Sequence, residues 1–171
     1  VWVLELSSFQ LHDLETGAQA FSPAAATVLN ISQDHLDWHG TMQAYAAAKS
    51  NVFGPSGTLV SNRDDPAVTA MEPPPASAKL PKGAPKPTPR QLIRFGTDAP
   101  ARPGDFGIVV SNGMAWLVRA LPADETIKRR KGEEEEIFLQ NLMPVDALRV
   151  RGRHNAANAL AALALATAID C

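Results

Sequence analysis

Val1 to Leu6 is a short, nearly continuous apolar run, the pattern of a strand buried on both faces of a parallel sheet. Ser7-Ser8 ends it, and Phe9 to Ala20 reads as a helix covering one sheet face. Ala25 to Ile31 is a second apolar run, closed by Asn30-Ile31-Ser32. Gly40-Thr41 then opens a helical stretch to about Phe53, with Thr41 as its N-cap. Met42, Tyr45, Lys49 and Val52 fall on one face of that helix. Gly54-Pro55 breaks it, and Gly57 to Ser61 reads as a third strand. Alternating strands and helices predict an α/β fold: a mostly parallel sheet with flanking helices.

Beyond residue 70 the pattern changes. Seven of the 14 prolines lie between Pro73 and Pro89, which predicts an extended surface insertion over about 72–90. Leu92 to Phe95 resumes strand character. Ile108 to Ser111, Asn112-Gly113 and Met114 to Val118 form a hairpin signal, because Asn-Gly suits a type I′ turn. A small antiparallel β element is therefore added to the parallel one. Asp124 to Glu136 holds ten charged residues and reads as a solvated loop. The last element is a helix from His154 to Ile169, with Leu160, Leu163, Ala164 and Thr167 as its apolar stripe.

Composition narrows the function. At 171 residues and 45% hydrophobic, the chain has enough apolar surface for one core. A net charge of −2 leaves no basic face for nucleic acid. No run of about 20 apolar residues would span a membrane. Cys171 is the single cysteine, so no internal disulfide can form and a reducing compartment is expected. The chain starts Val1-Trp2-Val3-Leu4, without the basic region of a signal peptide, and its last helix stops abruptly at Asp170-Cys171. A piece of a longer protein is the expectation.

Polar residues gather where strands end. Glu5 to Ser8 follow the first strand, and Asp34, His35, Asp37 and His39 follow the second. Open parallel sheets bind ligands beyond the carboxyl ends of their strands. Glu5 is the only charge in its apolar strand, so it serves a metal or catalysis, or is satisfied by a neighbour. The Asp/His group suits zinc, manganese or magnesium; its plainer reading is a capping Asp beside a surface His. Lys49 lies among alanines, which leave room for chemistry at its amine or for snorkelling along an apolar face. Asn155 and Asn158 open the last helix beside His154, either as caps or as amides gripping a base or ribose. No Gly-x-x-x-x-Gly-Lys-Ser/Thr occurs, so any phosphate cradle for ATP would precede residue 1.

Four segments in order, Glu5-Leu-Ser-Ser-Phe-Gln-Leu11, Leu29-Asn-Ile-Ser-Gln-Asp-His-Leu-Asp37, Tyr45-Ala-Ala-Ala-Lys49 and Gly152-Arg-His-Asn-Ala-Ala-Asn158, resemble the central ATPase domain of the Mur ligase family. The similarity runs through residues 1–70 and 91–171, and the opening segment is most like the D-glutamate-adding members. The resemblance implies a P-loop-NTPase-like domain without its P-loop start. The family's amino-terminal UDP-binding domain and carboxy-terminal domain would lie outside residues 1–171. It implies a cytoplasmic, monomeric enzyme of peptidoglycan-precursor synthesis that joins D-glutamate to UDP-N-acetylmuramoyl-L-alanine with ATP. By position, Glu5 and His35 correspond to ligands of Mg2+ (or Mn2+), and Lys49 to a lysine that carries a carbamate toward that metal. These three would be the catalytic set. Ser7, Ser8 and Gln10 correspond to contacts of the UDP-sugar. Asn155 and Asn158, with His154 beside them, correspond to adenine-site residues. Other readings are a diaminopimelate- or lysine-adding relative, folylpolyglutamate synthase, a metal-dependent hydrolase using Glu5, His35 and Asp37, and a non-catalytic interaction module. On the leading reading, residues 1–171 alone have no ligase activity.

Overall fold

The computed structural model describes residues 1–14, 21–34, 36–73, 90–123 and 136–171. Ser7 opens the first helix, α1 (Ser8–His12), through a capping box. Gln10 N donates to Ser7 Oγ at 3.3 Å, and Ser7 N donates to Gln10 Oε1 at 2.9 Å. The helix ends at His12, shorter than expected, with Asp13 as its C-cap, and residues 15–20 of the expected helix lie outside the described residues.

β1 is Ala25–Val28, shorter than the expected Ala25–Ile31. Side chains take over its ladder beyond Val28: Asn62 Nδ2 donates to Leu29 O at 2.8 Å, and Ile31 N donates to an Asp65 oxygen at 2.7 Å. A short helix α2 (Leu36–His39) precedes α3 (Met42–Ser50), whose N-cap is Thr41 as expected; Ala44 N donates to Thr41 Oγ1 at 3.1 Å. A 3-10 turn, Asn51–Phe53, extends α3 to the expected stop. β2 (Thr58–Asn62) is buried at every residue, as a central parallel strand must be. α4 (Pro66–Thr69) follows, capped by Asp65. Arg90 closes the α3–β2 connection, donating to the carbonyls of Phe53, Gly54, Ser56 and Gly57.

β3 (Leu92–Phe95) pairs with β2, and the six strands follow one another in chain order across a single sheet. β1, β2 and β3 are parallel. β3 meets β4 (Phe106–Ser111) in parallel at Phe95–Phe106. β4, β5 (Met114–Pro122) and β6 (Ile137–Pro144) are antiparallel. The hairpin turn has the expected geometry, with φ of 52° at Asn112 and 75° at Gly113. The antiparallel part is larger than expected, half the strands of the sheet, because β6 joins the hairpin and β5 runs on to Pro122. The Pro-rich stretch 74–89 and the charged stretch 124–135 lie outside the described residues.

The last helix, α5 (Arg153–Ala168), covers one face of the sheet. Ala156, Leu160, Ala161 and Ala164 pack on Val60, Ile93, Phe95, Phe106 and Leu117. The alanines let the helix approach the sheet closely. On the other face Phe53 and Val68 pack with Ala26, Val28 and Leu59. Leu59 and Val60 thus serve opposite faces, the period-two alternation of a strand.

One expected strand does not form. Val1 to Leu6 has no strand structure, and Val1, Trp2 and Val3 are more than 90% exposed. An apolar strand is stable only when a neighbour supplies its ladder bonds and covers its faces. Among the described residues β1, at the sheet's edge, pairs with β2 alone.

Candidate functional site

The carboxyl ends of the parallel strands and the start of α5 enclose an open cleft of about 600 Å³. Leu29 and Asn30 come from the end of β1, Asn62 and Asp64 from β2, and Thr97 from β3. Arg153, His154 and Asn158 come from the first turns of α5. Gly152 precedes α5 with φ of 101° and no side-chain cap. The first amides of the helix and the Arg153 guanidinium therefore place positive charge at the mouth, opposed by the Asp64 carboxylate.

The structure divides the expected pair of amides. Asn158 is exposed in the cleft, whereas Asn155 turns back and donates from Nδ2 to Arg151 O at 2.7 Å. Three of the cleft residues, Asn62, Asp64 and Thr97, were missed from sequence. The signal for two of them was present, since Asn62 to Asp65 follow a strand just as Asp34 to His39 do.

A second group gathers where α1, α2 and α3 meet. Ser8 is buried and its Oγ lies 2.9 Å from His39 Nε2. His39 stacks on Phe9 and meets Trp38 and Tyr45 edge to face. Tyr45 is buried, and its phenol titrates above its ordinary value, from burial first and the Asp34 charge second. Lys49 is half-buried, with Nζ 5.7 Å from the Tyr45 ring centre, a cation–π contact. Asp37 is exposed on α2.

Glu5 is exposed rather than buried, because the strand expected to carry it does not form. His35 lies outside the described residues. Ser7 Oγ and Gln10 Oε1 are engaged in the capping box, and Ser8 Oγ with His39. Among the described residues no three His, Cys, Asp or Glu side chains gather to hold a metal ion. Glu5 and the Lys49 ammonium, as they stand, are not a donor set for magnesium. The hydrolase reading likewise finds no donor cluster among the described residues. Nor is any helix described here long and apolar enough to cross a membrane.

A family model described as the Mur ligase middle domain matches residues 1–166, which takes in both groups. The chain belongs to this Mur ligase family. Over its whole length this Mur ligase domain is 63% identical to the UDP-N-acetylmuramoylalanine--D-glutamate ligase of Albidiferax ferrireducens, covering 32% of that protein. It is 61% identical to the ligase of the same name from a Polaromonas species, covering 28% of it. The chain thus spans about a third of the length of the curated relatives it matches. The fold also aligns with MurF from Acinetobacter baumannii at a TM-score of 0.46 and 22% identity, over 88% of this chain and 26% of that one. That match is too loose to place any side chain.

Proposed function

We propose that this Mur ligase domain is the ATP-binding middle part of a longer cytoplasmic ligase. That ligase joins D-glutamate to UDP-N-acetylmuramoyl-L-alanine in peptidoglycan-precursor synthesis. The observation that carries the reading is the cleft at the carboxyl ends of β1, β2 and β3, with His154 and Asn158 on its wall. Its support is the name borne by relatives 63% and 61% identical over this whole chain, UDP-N-acetylmuramoylalanine--D-glutamate ligase. On this reading the UDP-binding domain, the phosphate cradle and the carboxy-terminal domain belong to the remaining two thirds of the protein.

A carboxylate is a poor electrophile, so the terminal phosphoryl of ATP passes to the alanyl carboxylate and ADP leaves. The amine of D-glutamate attacks the acyl carbon, loses a proton, and the tetrahedral intermediate expels phosphate to leave an amide. The protein's part is to hold the partners in line and to neutralise phosphate charge. In this chain His154 and Asn158 face the base, while the positive mouth at Gly152 to Arg153 favours the nucleotide's anionic end. Ser7, Ser8 and Gln10 present α1 to the UDP-sugar. Glu5, His35 and a carbamylated Lys49 are the residues assigned to magnesium or manganese. The described residues by themselves gather no such set.

The test is phosphate release from ATP by the full-length protein with UDP-N-acetylmuramoyl-L-alanine, offering D-glutamate or meso-diaminopimelate. Turnover with D-glutamate alone is the expected result. Turnover with diaminopimelate moves the chain to the related ligase, and turnover with neither overturns the reading. Lys49→Ala should abolish turnover, and rescue by a small carboxylic acid would support the carbamate.

A further inference from the structure

Among the described residues, Thr97 is where the end of β2 and the start of α5 both grip the β3–β4 connection. Asp64 Oδ2 accepts from Thr97 N and from Thr97 Oγ1, each at 2.8 Å. The same Oγ1 accepts from Arg153 Nε at 2.9 Å and from Arg153 Nη2 at 2.6 Å. A hydroxyl has one proton and two lone pairs, so this one is fully used. It joins a carboxylate to a guanidinium that Asp64 does not itself touch.

Both sides of the contact are held. Asp64 N donates to Asn62 Oδ1 at 2.9 Å, which fixes the turn after β2. Arg63 grips the next residue of the connection, donating to Asp98 Oδ1 at 2.7 Å and to Asp98 O at 2.9 Å. Gly96 passes so close beneath that a Cβ there would lie 2.7 Å from Arg63 Cγ and 2.8 Å from Asp64 Oδ1. By contrast, the entry to α5 has a left-handed glycine and no side-chain cap. The Arg153–Thr97 contact adds a polar tie from that entry to the β3–β4 connection, across 56 residues of chain, beside the packing of Ala156 on the sheet.

We propose that Asp64, Thr97 and Arg153 form a positioning latch. The latch sets the first turn of α5, and with it His154 and Asn158, at the height above the strand ends that the nucleotide base requires. It acts on affinity for the nucleotide rather than on the chemical step. The inference rests on the nucleotide-binding reading of the cleft.

The test is titration of the full-length protein with MgATP, together with KM and kcat for ATP in the ligase assay. Thr97→Val keeps the shape of the side chain and loses the hydroxyl. It should raise the dissociation constant and KM for ATP about tenfold, with kcat changed far less and KM for the UDP-substrate unmoved. Thr97→Ser should restore most of the lost affinity. Arg153→Gln removes the latch and the charge at the cleft mouth together, so it should lose at least as much affinity as Thr97→Val, and the double variant should be no worse than Arg153→Gln alone. Additive losses, or ATP affinity unchanged in Arg153→Gln, would overturn the latch even if Thr97→Val fails to fold. A wild type that titrates with no adenine nucleotide overturns the functional reading and this one with it.

Discussion

Ser8 Oγ and His39 Nε2 lie 2.9 Å apart, and this hydrogen bond joins α1 to α2 across 31 residues of chain. Ser8 is 2% exposed, so its hydroxyl has almost no access to water. Ser8→Ala should therefore lower stability by about 1 kcal/mol, the net worth of one buried hydrogen bond. His39→Ala also loses ring contacts with Phe9, Trp38 and Tyr45, and should cost about 2 kcal/mol or more. Denaturant unfolding of both variants checks the order. Equal losses would mean that the aromatic contacts contribute nothing.

Two left-handed glycines should respond very differently to alanine. Gly57, at φ +85°, carries the chain into β2, and a Cβ there would collide with the backbone oxygens of Pro23 and Ala24. Gly113, at φ +75° in the hairpin turn, has nothing within 4 Å. Gly113→Ala should cost only the conformational penalty of about 1 kcal/mol. Gly57→Ala adds a backbone clash and should cost about 3 kcal/mol or more. Thermal unfolding of the two variants decides it, and equal shifts in Tm would show that the β1–β2 approach relaxes freely.

Asp105 is 4% exposed and gives the fold a pH dependence of unusual sign. Burial pushes its carboxyl above the ordinary value, against the opposing pull of the Arg94 amide and the charges of Arg94, Arg63 and Arg102. The folded state then holds a proton that the unfolded chain has already released. This contribution is full below the unfolded pKa and is lost as pH rises through the folded one. Stability profiles of wild type and Asp105→Asn across that acidic range should diverge. The wild type should lose ground to the variant as pH rises, and parallel profiles would refute the shift.

Part of the fold was legible in residue order. The cap at Thr41, the Asn112-Gly113 turn and the parallel direction of β1 and β2 follow from local stereochemistry and hydrophobic period, which a short window of sequence contains. The pair expected at this helix start was Asn155 and Asn158 with His154 beside them, and the structure keeps His154 and Asn158 on the cleft. Which strand ends would face that helix was not legible, because Asn62 and Asp64 come from the end of β2 and Thr97 from beyond β3.

The sequence by itself determined the α/β class, the strand character of β1 to β5, the helices α3 and α5 and the motifs that resemble the Mur ligases, because each depends on residues near one another in the chain. Only the tertiary structure decided that Val1 to Leu6 meets no partner strand among the described residues, that Asn155 turns away from the cleft, and that Thr97 joins Asp64 to Arg153. An apolar run becomes a strand only if another strand offers it an edge. A side chain's partner depends on which strand ends the sheet brings together.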